Sequence, residues 1–232
     1  MMARIVKEQE YNKKRNEILD SAQRFLFSKG YESMAIQDIL ADIQISSGAF
    51  YHYFDSKSAL LEALIDRMVQ QAEQVLPPIV HNPNLTALEK MQRFFSTLDN
   101  MRTAGKTFLI ELLPVWYSDD NAIVRLKVGE AIIERRAPLL AHIICQGIQE
   151  KVFTTNYPDQ VSKVVLSLTL SMGNALARLI LLFKLKHDEL GFIDDIVATY
   201  AVYTDAIERV LGVSDSFLYR IDAEAVKNWF EL

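Results

Sequence analysis

The sequence predicts an all-α protein, and three observations predict it. Glycine and proline are scarce, at eight and six residues in 232, where average usage near 7% and 5% gives about 16 and 12, and β-rich folds need such residues at their turns. Apolar residues recur at spacings of three and four along most of the chain, the period of helices that bury one face. No run of strict polar and apolar alternation competes with them. Half the residues are hydrophobic and 24% are charged, a globular composition that excludes a disordered, collagen-like or low-complexity chain. The length suits one large domain or two smaller ones.

The elements follow in order. Over residues 17–29, Ile18, Ala22, Phe25 and Leu26 stand at i, i+4, i+7 and i+8, an amphipathic helix that Gly30 should end as a C-terminal cap. Over residues 36–43, Ile36, Ile39, Leu40 and Ile43 give two helical turns. Ser46 is placed to cap a third short helix with Phe50 and Phe54 inward, and Ser56 to cap a fourth carrying Leu60, Leu61, Leu64, Ile65 and Met68. The fourth should stop near Pro77 and Pro78, where backbone donors are missing. This is the expected boundary between a first domain, residues 1–70, and a second, residues 71–232. Further helices are expected over residues 85–101, 107–116, 122–151, 158–186, 192–211 and 223–230, with a kink or break at Pro138 and with Asp222 capping the last.

Charge and cysteine content narrow the function classes. A single cysteine, Cys145, builds neither an internal disulfide nor a thiolate metal site and points to a cytoplasmic protein. Residues 1–15 carry five Lys or Arg (Arg4, Lys7, Lys13, Lys14, Arg15) against two Glu, without the apolar core of a signal peptide. The whole chain is acidic, at −5, which argues against coating a polyanion by charge alone. Residues 164–183 are apolar enough to resemble a membrane span. Arg178, Asn174 and the hydroxyls at 167, 169 and 171 oppose insertion and favour a helix buried on several sides, one of them against a second subunit.

A short helix, a tight turn and a second short helix with small residues at its start have the dimensions of a helix-turn-helix, here at about residues 35–54. Gly48 sits in the first turn of the second helix, where glycine costs about 1 kcal/mol relative to alanine, so a contact reason is expected. With Ser47 and Ala49 it forms a small tip able to approach base edges in a major groove, and behind it Tyr51, His52, Tyr53 and Lys57 offer phosphate donors.

At these residues the chain resembles the TetR family of bacterial transcriptional regulators. The resemblance runs from about Arg15 to Met68 and rests on Gly30-Tyr31, Ile36-Gln37-Asp38-Ile39, Ser46-Ser47-Gly48-Ala49-Phe50-Tyr51-His52-Tyr53-Phe54, Ser56-Lys57 and Leu60-Leu61 in family order and spacing. It implies that Gln37, Ser47, Gly48 and Ala49 face bases, that Tyr51, His52 and Lys57 hold the phosphate backbone, and that Ser46 is the helix cap. Two positions depart from the family pattern: Met34 stands where Thr is common, leaving Ser33 to cap one turn earlier, and Gln44 stands where Gly is common and must take the turn conformation glycine adopts without strain. Residues 1–68 hold nine basic and ten acidic side chains, so nonspecific binding should be weak. The basic N-terminus is expected either to reach a neighbouring groove or to be a solvated tail.

The second domain reads as a helical chamber for an apolar or amphipathic effector. Phe94, Phe95, Leu98, Met101, Phe108, Leu112, Trp116 and Tyr117 supply wall material and Met172 a flexible filler. Glu111, Asn174 and Arg178 lie among apolar neighbours and would need partners if buried, from an effector or from a Glu111 to Arg178 pair. Ile193, Val197, Tyr200, Thr204, Ile207 and Leu211 form one stripe at helical spacing. The resemblance assigns the last two long helices to a homodimer interface, and a two-fold dimer would read a palindromic operator.

Enzyme readings find no support. The histidines at 52, 81, 142 and 187 are scattered, no zinc, phosphate-loop or dinucleotide motif is present, and no cofactor is implied. His142 and Cys145 are too few for a metal site, and the charges at Glu130, Glu134, Arg135 and Arg136 fit a solvated helix face. The expected function is therefore a ligand-responsive transcriptional regulator, by default a repressor. The alternatives are a constitutive DNA-binding regulator and a helical small-molecule-binding protein.

Overall fold

The computed structural model describes residues 2–186, 189–213 and 216–230, with side chains from residue 8 onward apart from 71–72, 185–186 and 189–190. The described residues form ten α-helices and one 3-10 turn, without strands: α1 (Met2–Lys29), α2 (Ile36–Asp42), α3 (Ser47–Tyr51), α4 (Lys57–Val80), α5 (Ala87–Ala104), α6 (Lys106–Trp116), α7 (Ala122–Gln149), α8 (Pro158–Lys186), α9 (Glu189–Leu211) and α10 (Ala223–Phe230). The all-α reading holds, and apart from the start of α1 the helices begin and end close to where the periodicity places them. His187 lies outside the described residues.

The chain divides into two compact units. One comprises Met1–Gln70 with Pro114–Ala131, the other Gln71–Leu113 with Ile132–Leu232. Segment 114–131 thus groups with the N-terminal helices and not with its sequence neighbours.

In the first unit, Ile18, Leu19, Ala22, Met34, Ile39, Phe50, Phe54, Leu60 and Leu64 form one buried cluster, so each short helix contributes its apolar face to a common core. Gly30 ends α1 with a positive φ of 85°, and a Cβ there would stand 2.6 Å from the Asp120 Cβ. Glycine is required twice at that position, by conformation and by space. Segment 114–131 is stitched on beside it: Asn121 Oδ1 accepts from the Tyr31 N–H at 2.9 Å and the Asp120 carbonyl from the Glu32 N–H at 3.1 Å.

Four local expectations need correction. First, α1 begins at Met2 rather than near residue 17. Residues 2–16 contain neither Gly nor Pro, and Tyr11 packs its ring 4.8 Å from Tyr53 and 5.7 Å from His52, so the basic N-terminus is helix and not a loose tail. The side chains of Arg4 and Lys7 lie outside the described residues. Second, α4 continues through Pro77 and Pro78 to Val80. Both prolines sit in its last turn, where each removes a backbone donor, and Leu76 and Val80 are fully buried beside them. Third, of the kink or break expected at Pro138, the break is absent: α7 runs continuously through it, with Ala137 and Leu140 buried nearby. In both helices tertiary burial outweighs a local penalty of about 3 kcal/mol per proline. Fourth, Ser33 does not cap α2. Its hydroxyl donates to Asp120 Oδ2 at 2.5 Å, while Ala35 is the N-cap residue and its N–H is met by Asp38 Oδ2 at 2.8 Å.

In the second unit, Leu76, Phe94, Leu140, Ile144, Phe153, Val165, Ile207 and Leu211 belong to one buried cluster. A smaller cluster gathers Phe192, Ile193, Ile196 and Val226, with Phe183 stacked on Phe192 at 4.3 Å. Gly147 permits a close approach: a Cβ there would lie 2.0 Å from Phe153 Cδ2. Asp222 caps α10, its Oδ1 accepting from the Ala225 N–H at 2.7 Å.

Candidate functional site

The first candidate surface is the tip of α3. Ser46 caps it, its Oγ accepting from the Ala49 N–H at 3.2 Å, and Gln44 takes the left-handed turn conformation at φ 52°. Phe50 is 0% exposed and roots the helix in the core, which turns the residues around it outward. Gln37, Ser46, Ser47, Gly48, Tyr51 and His52 are exposed, and Ala49, Tyr53 and Lys57 are half-buried. Six of the nine predicted residues are thus exposed and three are half-buried, so not all are equally available. Tyr53 lies against Tyr11. Lys57 Nζ stands 4.3 Å from the centre of the Tyr31 ring and donates to the Glu32 carbonyl at 3.3 Å.

The surrounding charges largely pair among themselves. Lys29 meets Asp38 at 2.5 Å, Arg67 meets Asp20 at 2.6 Å, and Arg24 is bonded to Asp42. The Lys29 hydrogen bond, aided by the Ala35 N–H, holds the Asp38 carboxyl below its ordinary range. Hydrogen bonds from Ser21 first and then Arg24 do the same for Asp42. What remains at the tip is a compact set of neutral donors and acceptors, suited to reading shape and base edges more than to gathering phosphates.

The second candidate is a cavity of about 760 Å³ in the second unit, within the usual range for small-molecule sites. Its walls come from α5, α8, α9 and the chain after α9, including Leu98, Met172, Leu176, Ile180, Ile196, Tyr200, Leu218, Trp229 and Phe230. Of the predicted effector residues, Phe95, Leu98 and Met172 line it. Phe108, Glu111, Leu112, Trp116, Asn174 and Arg178 do not. Phe108 is 52% exposed, Glu111, Asn174 and Arg178 are also exposed, and Trp116 belongs to the first unit. Among the described residues no ion pair joins Glu111 to Arg178. The polar residues within the apolar run of α8 mark its outward stripe, and periodicity alone does not say which side of such a helix faces in.

The stripe on α9 is corrected in the opposite sense. Ile193 and Val197 pack in the Phe192 cluster, Tyr200, Thr204 and Ile207 line the cavity, and Leu211 is fully buried in the main core. Ile193, Thr204, Ile207 and Leu211 are buried within the chain and so are not free to form a subunit surface, while Val197 and Tyr200 are half-buried. The faces left uncovered are Val164, Ser167, Ser171, Asn174, Arg178 and Leu182 along α8, and Ala198 and Val202 on α9, Val202 being 66% exposed. Among the described residues α8 is the one helix long and apolar enough by composition to cross a membrane, and 28% of that stretch is buried within the chain.

Sequence reasoning missed the cavity's C-terminal wall, because residues 212–222 carry no periodic signal. Glu208 holds this wall in place. Its Oε1 accepts from the N–H groups of Phe217 and Leu218, each at 2.9 Å, and its Oε2 lies 2.5 Å from Arg220. Arg220 also meets Asp205 at 2.8 Å. Burial pushes the Glu208 carboxyl up, but the Leu218 and Phe217 N–H groups and Arg220 outweigh it and hold the carboxyl below its ordinary 4.5. Because the folded value is depressed, this contribution to stability is complete above about pH 4.5 and is lost as pH falls through the folded value. Acidification is therefore expected to loosen residues 216–222 and change the emission of Trp229, with a smaller response in Glu208→Gln. Identical acid profiles for the two proteins would remove Glu208 as the anchor.

Among the described residues no three His, Cys, Asp or Glu side chains are grouped to hold a metal ion.

Comparison with known proteins agrees with this architecture. Residues 18–64 match the family described as bacterial regulatory proteins, tetR family, and residues 116–192 match the tetracyclin repressor-like C-terminal domain. The HTH-type transcriptional regulator EthR of Mycobacterium tuberculosis (strain ATCC 25618 / H37Rv) is 31% identical over 110 residues, covering 43% of this chain and 51% of EthR, so the chain spans about half the length of that relative. The uncharacterized HTH-type transcriptional regulator YvaF of Bacillus subtilis (strain 168) is 30% identical over 157 residues, covering 61% of this chain and 82% of YvaF. The solved SmeT–triclosan complex shares the fold at 13% identity and a TM-score of 0.58, over 90% of this chain and 96% of that one.

Proposed function

The chain belongs to the TetR family of bacterial transcriptional regulators, and from that premise we propose that it is a cytoplasmic, ligand-responsive repressor that binds a palindromic operator as a homodimer. The observation that carries this reading is the α3 tip. Ser47 and Gly48 are exposed and Ala49 half-buried beside buried Phe50, and a Cβ at Gly48 would meet only Ser46 Oγ, at 4.0 Å. Gln37, also exposed, sits on the helix before the turn. Tyr51 and His52 extend the surface toward phosphates, with Lys57 and Tyr53 in supporting positions.

The dimer in this reading forms through the uncovered faces of α8 and α9, at Val164, Ser167, Ser171, Ala198 and Val202. Small side chains there let two helix pairs pack closely as a four-helix bundle, and a closed two-fold contact presents two recognition helices to half-sites about 34 Å apart or a multiple of that distance. The effector occupies the 760 Å³ cavity; SmeT, which shares the fold, is known with triclosan bound. α4 contributes residues to both units, so a ligand that favours one conformation of the second unit can bias the first. A swing from 1:99 to 99:1 requires about 5.5 kcal/mol of differential binding between the two states.

Selection of bound fragments from a random DNA library tests the reading without a guess about target genes. The expected result is an enriched palindrome, bound by a dimer, with affinity that falls as salt rises. Folded, dimeric protein that enriches no sequence would overturn it.

A further inference from the structure

The polar groups of the cavity that are shielded from solvent are committed in one direction only. Tyr200 hydroxyl donates to Asp99 Oδ2 at 3.3 Å, and since a carboxylate only accepts, the phenolic hydrogen is spent and the Tyr200 oxygen keeps its lone pairs. Thr169 donates to the Val165 carbonyl at 2.9 Å. Thr204 gives its hydrogen to the carbonyls of Tyr200 or Ala201, at 2.9 and 3.0 Å, and accepts from Arg220. Trp229 Nε1 points to Thr103 Oγ1 at 3.4 Å, and Gln92 Nε2 donates to the Phe217 carbonyl at 2.8 Å. Of the lining side chains that are not exposed, the donors of Thr169, Tyr200, Thr204 and Trp229 are thus engaged with protein, while Tyr200 and Asp99 retain acceptor capacity; Arg93, Asn100, Thr103 and Tyr219 also line the cavity but are exposed to solvent.

Charge is balanced at the same place. Asp99 Oδ1 accepts from Arg102 at 3.0 Å, so the carboxylate already has its cation. Burial, with Asp99 beside it, pushes the Tyr200 hydroxyl far up and keeps it neutral at any physiological pH. An anionic ligand head at Tyr200 would meet Asp99, whose cation Arg102 is already engaged, while Arg93 is exposed to solvent, and much of the remaining wall, such as Leu98, Met172, Leu176, Ile180, Ile196 and Phe230, is apolar.

From this arrangement we infer that the cavity selects an uncharged, mostly apolar ligand that itself donates a hydrogen bond, as an alcohol, a phenol or an N–H group does, and that Tyr200 is the residue that reads the donor. The inference rests on the proposed effector role of the cavity and adds its ligand class. An ether or ketone of the same shape brings only acceptors to an acceptor surface, and burying such a group without a partner costs affinity.

Calorimetry with 4-butylphenol, 4-butylanisole and 4-butylbenzoate on the full chain tests it. The phenol is expected to bind at least about tenfold more tightly than the anisole, and the benzoate most weakly. In Tyr200→Phe the phenol advantage should fall to within about twofold while the anisole's affinity stays the same, a pattern that a merely structural role of the hydroxyl would not produce. Equal binding of phenol and anisole, tightest binding of the benzoate, binding of none of the three, or a phenol preference that survives in Tyr200→Phe each overturns the inference. Adding the same compounds to the complex with the selected operator separates the two proposals. The expected phenol preference without DNA release upholds the ligand class and removes effector control. DNA release by all three compounds alike upholds effector control and removes the ligand class.

Discussion

Ala49→Leu is expected to reduce affinity for the selected operator at least about a hundredfold, equivalent to about 2.7 kcal/mol, while leaving thermal stability nearly unchanged. Ala49 is half-buried at the tip of α3, one residue before the anchoring Phe50 and two before Tyr51, and its N–H is the one that Ser46 caps. Alanine and leucine are both strong helix formers, so the helix and its cap survive the change. In the proposed operator complex the added isobutyl group would stand where backbone and small side chains approach base edges, and a groove read at van der Waals distance has no space for it. Fluorescence anisotropy with the selected operator, alongside a circular dichroism melt, measures both quantities. Unchanged affinity and unchanged site preference would remove α3 from the recognition role.

Glu73→Ala is expected to be the most destabilising of the single substitutions proposed here. Arg136 on α7 has a side chain only 11% exposed, and its guanidinium meets Glu73 of α4 at 3.3 Å. Burial pulls the Arg136 pKa down, Glu73 opposes that, and Arg102 adds repulsion. Removing Glu73 leaves a buried cation without its partner, a class of change that costs about 3–5 kcal/mol, moderated here because Glu73 is 20% exposed. A loss of about 2–4 kcal/mol corresponds to roughly 5–15 °C in melting temperature for a chain of this size. The paired change Glu73→Leu with Arg136→Met removes both charges and keeps the apolar volume, so most of the loss should return. A double variant as unstable as Glu73→Ala alone would show that the charge pair is not what Arg136 depends on.

Much of the first unit was legible in the sequence because its signals are local. The caps at Ser46 and Ser56, the stop at Gly30 and the left-handed turn at Gln44 each depend on a few neighbouring residues, and each is present. The outward set from Gln37 to Lys57 followed from the same source, since placing Phe50 and Phe54 in the core determines which way the remaining side chains of α3 point. The helix breaks expected at the prolines are absent for a complementary reason. The penalty at Pro77, Pro78 and Pro138 is local, whereas the burial of Leu76, Val80 and Leu140 that offsets it involves partners distant in sequence.

The second unit shows the limit more sharply. Its six helices were readable from spacing, yet the same spacing misassigned their faces. The α9 stripe from Ile193 to Leu211 is apolar because it covers the cavity and the core, not because another subunit does, and Asn174 and Arg178 interrupt α8 on its exposed side. An amphipathic period states that a face is covered and is silent about what covers it.

By itself the sequence determined that this protein is all-α, where its helices lie, and which residues form the α3 tip, because propensity, capping and short-range periodicity act within a turn or two of each residue. Only the tertiary structure decided which faces of α8 and α9 are inward, that Tyr200 and Asp99 meet across 101 positions, and that the segment after α9, held by Glu208 and Arg220, closes a cavity. Those outcomes are set by contacts between residues far apart in the chain, which no local pattern encodes.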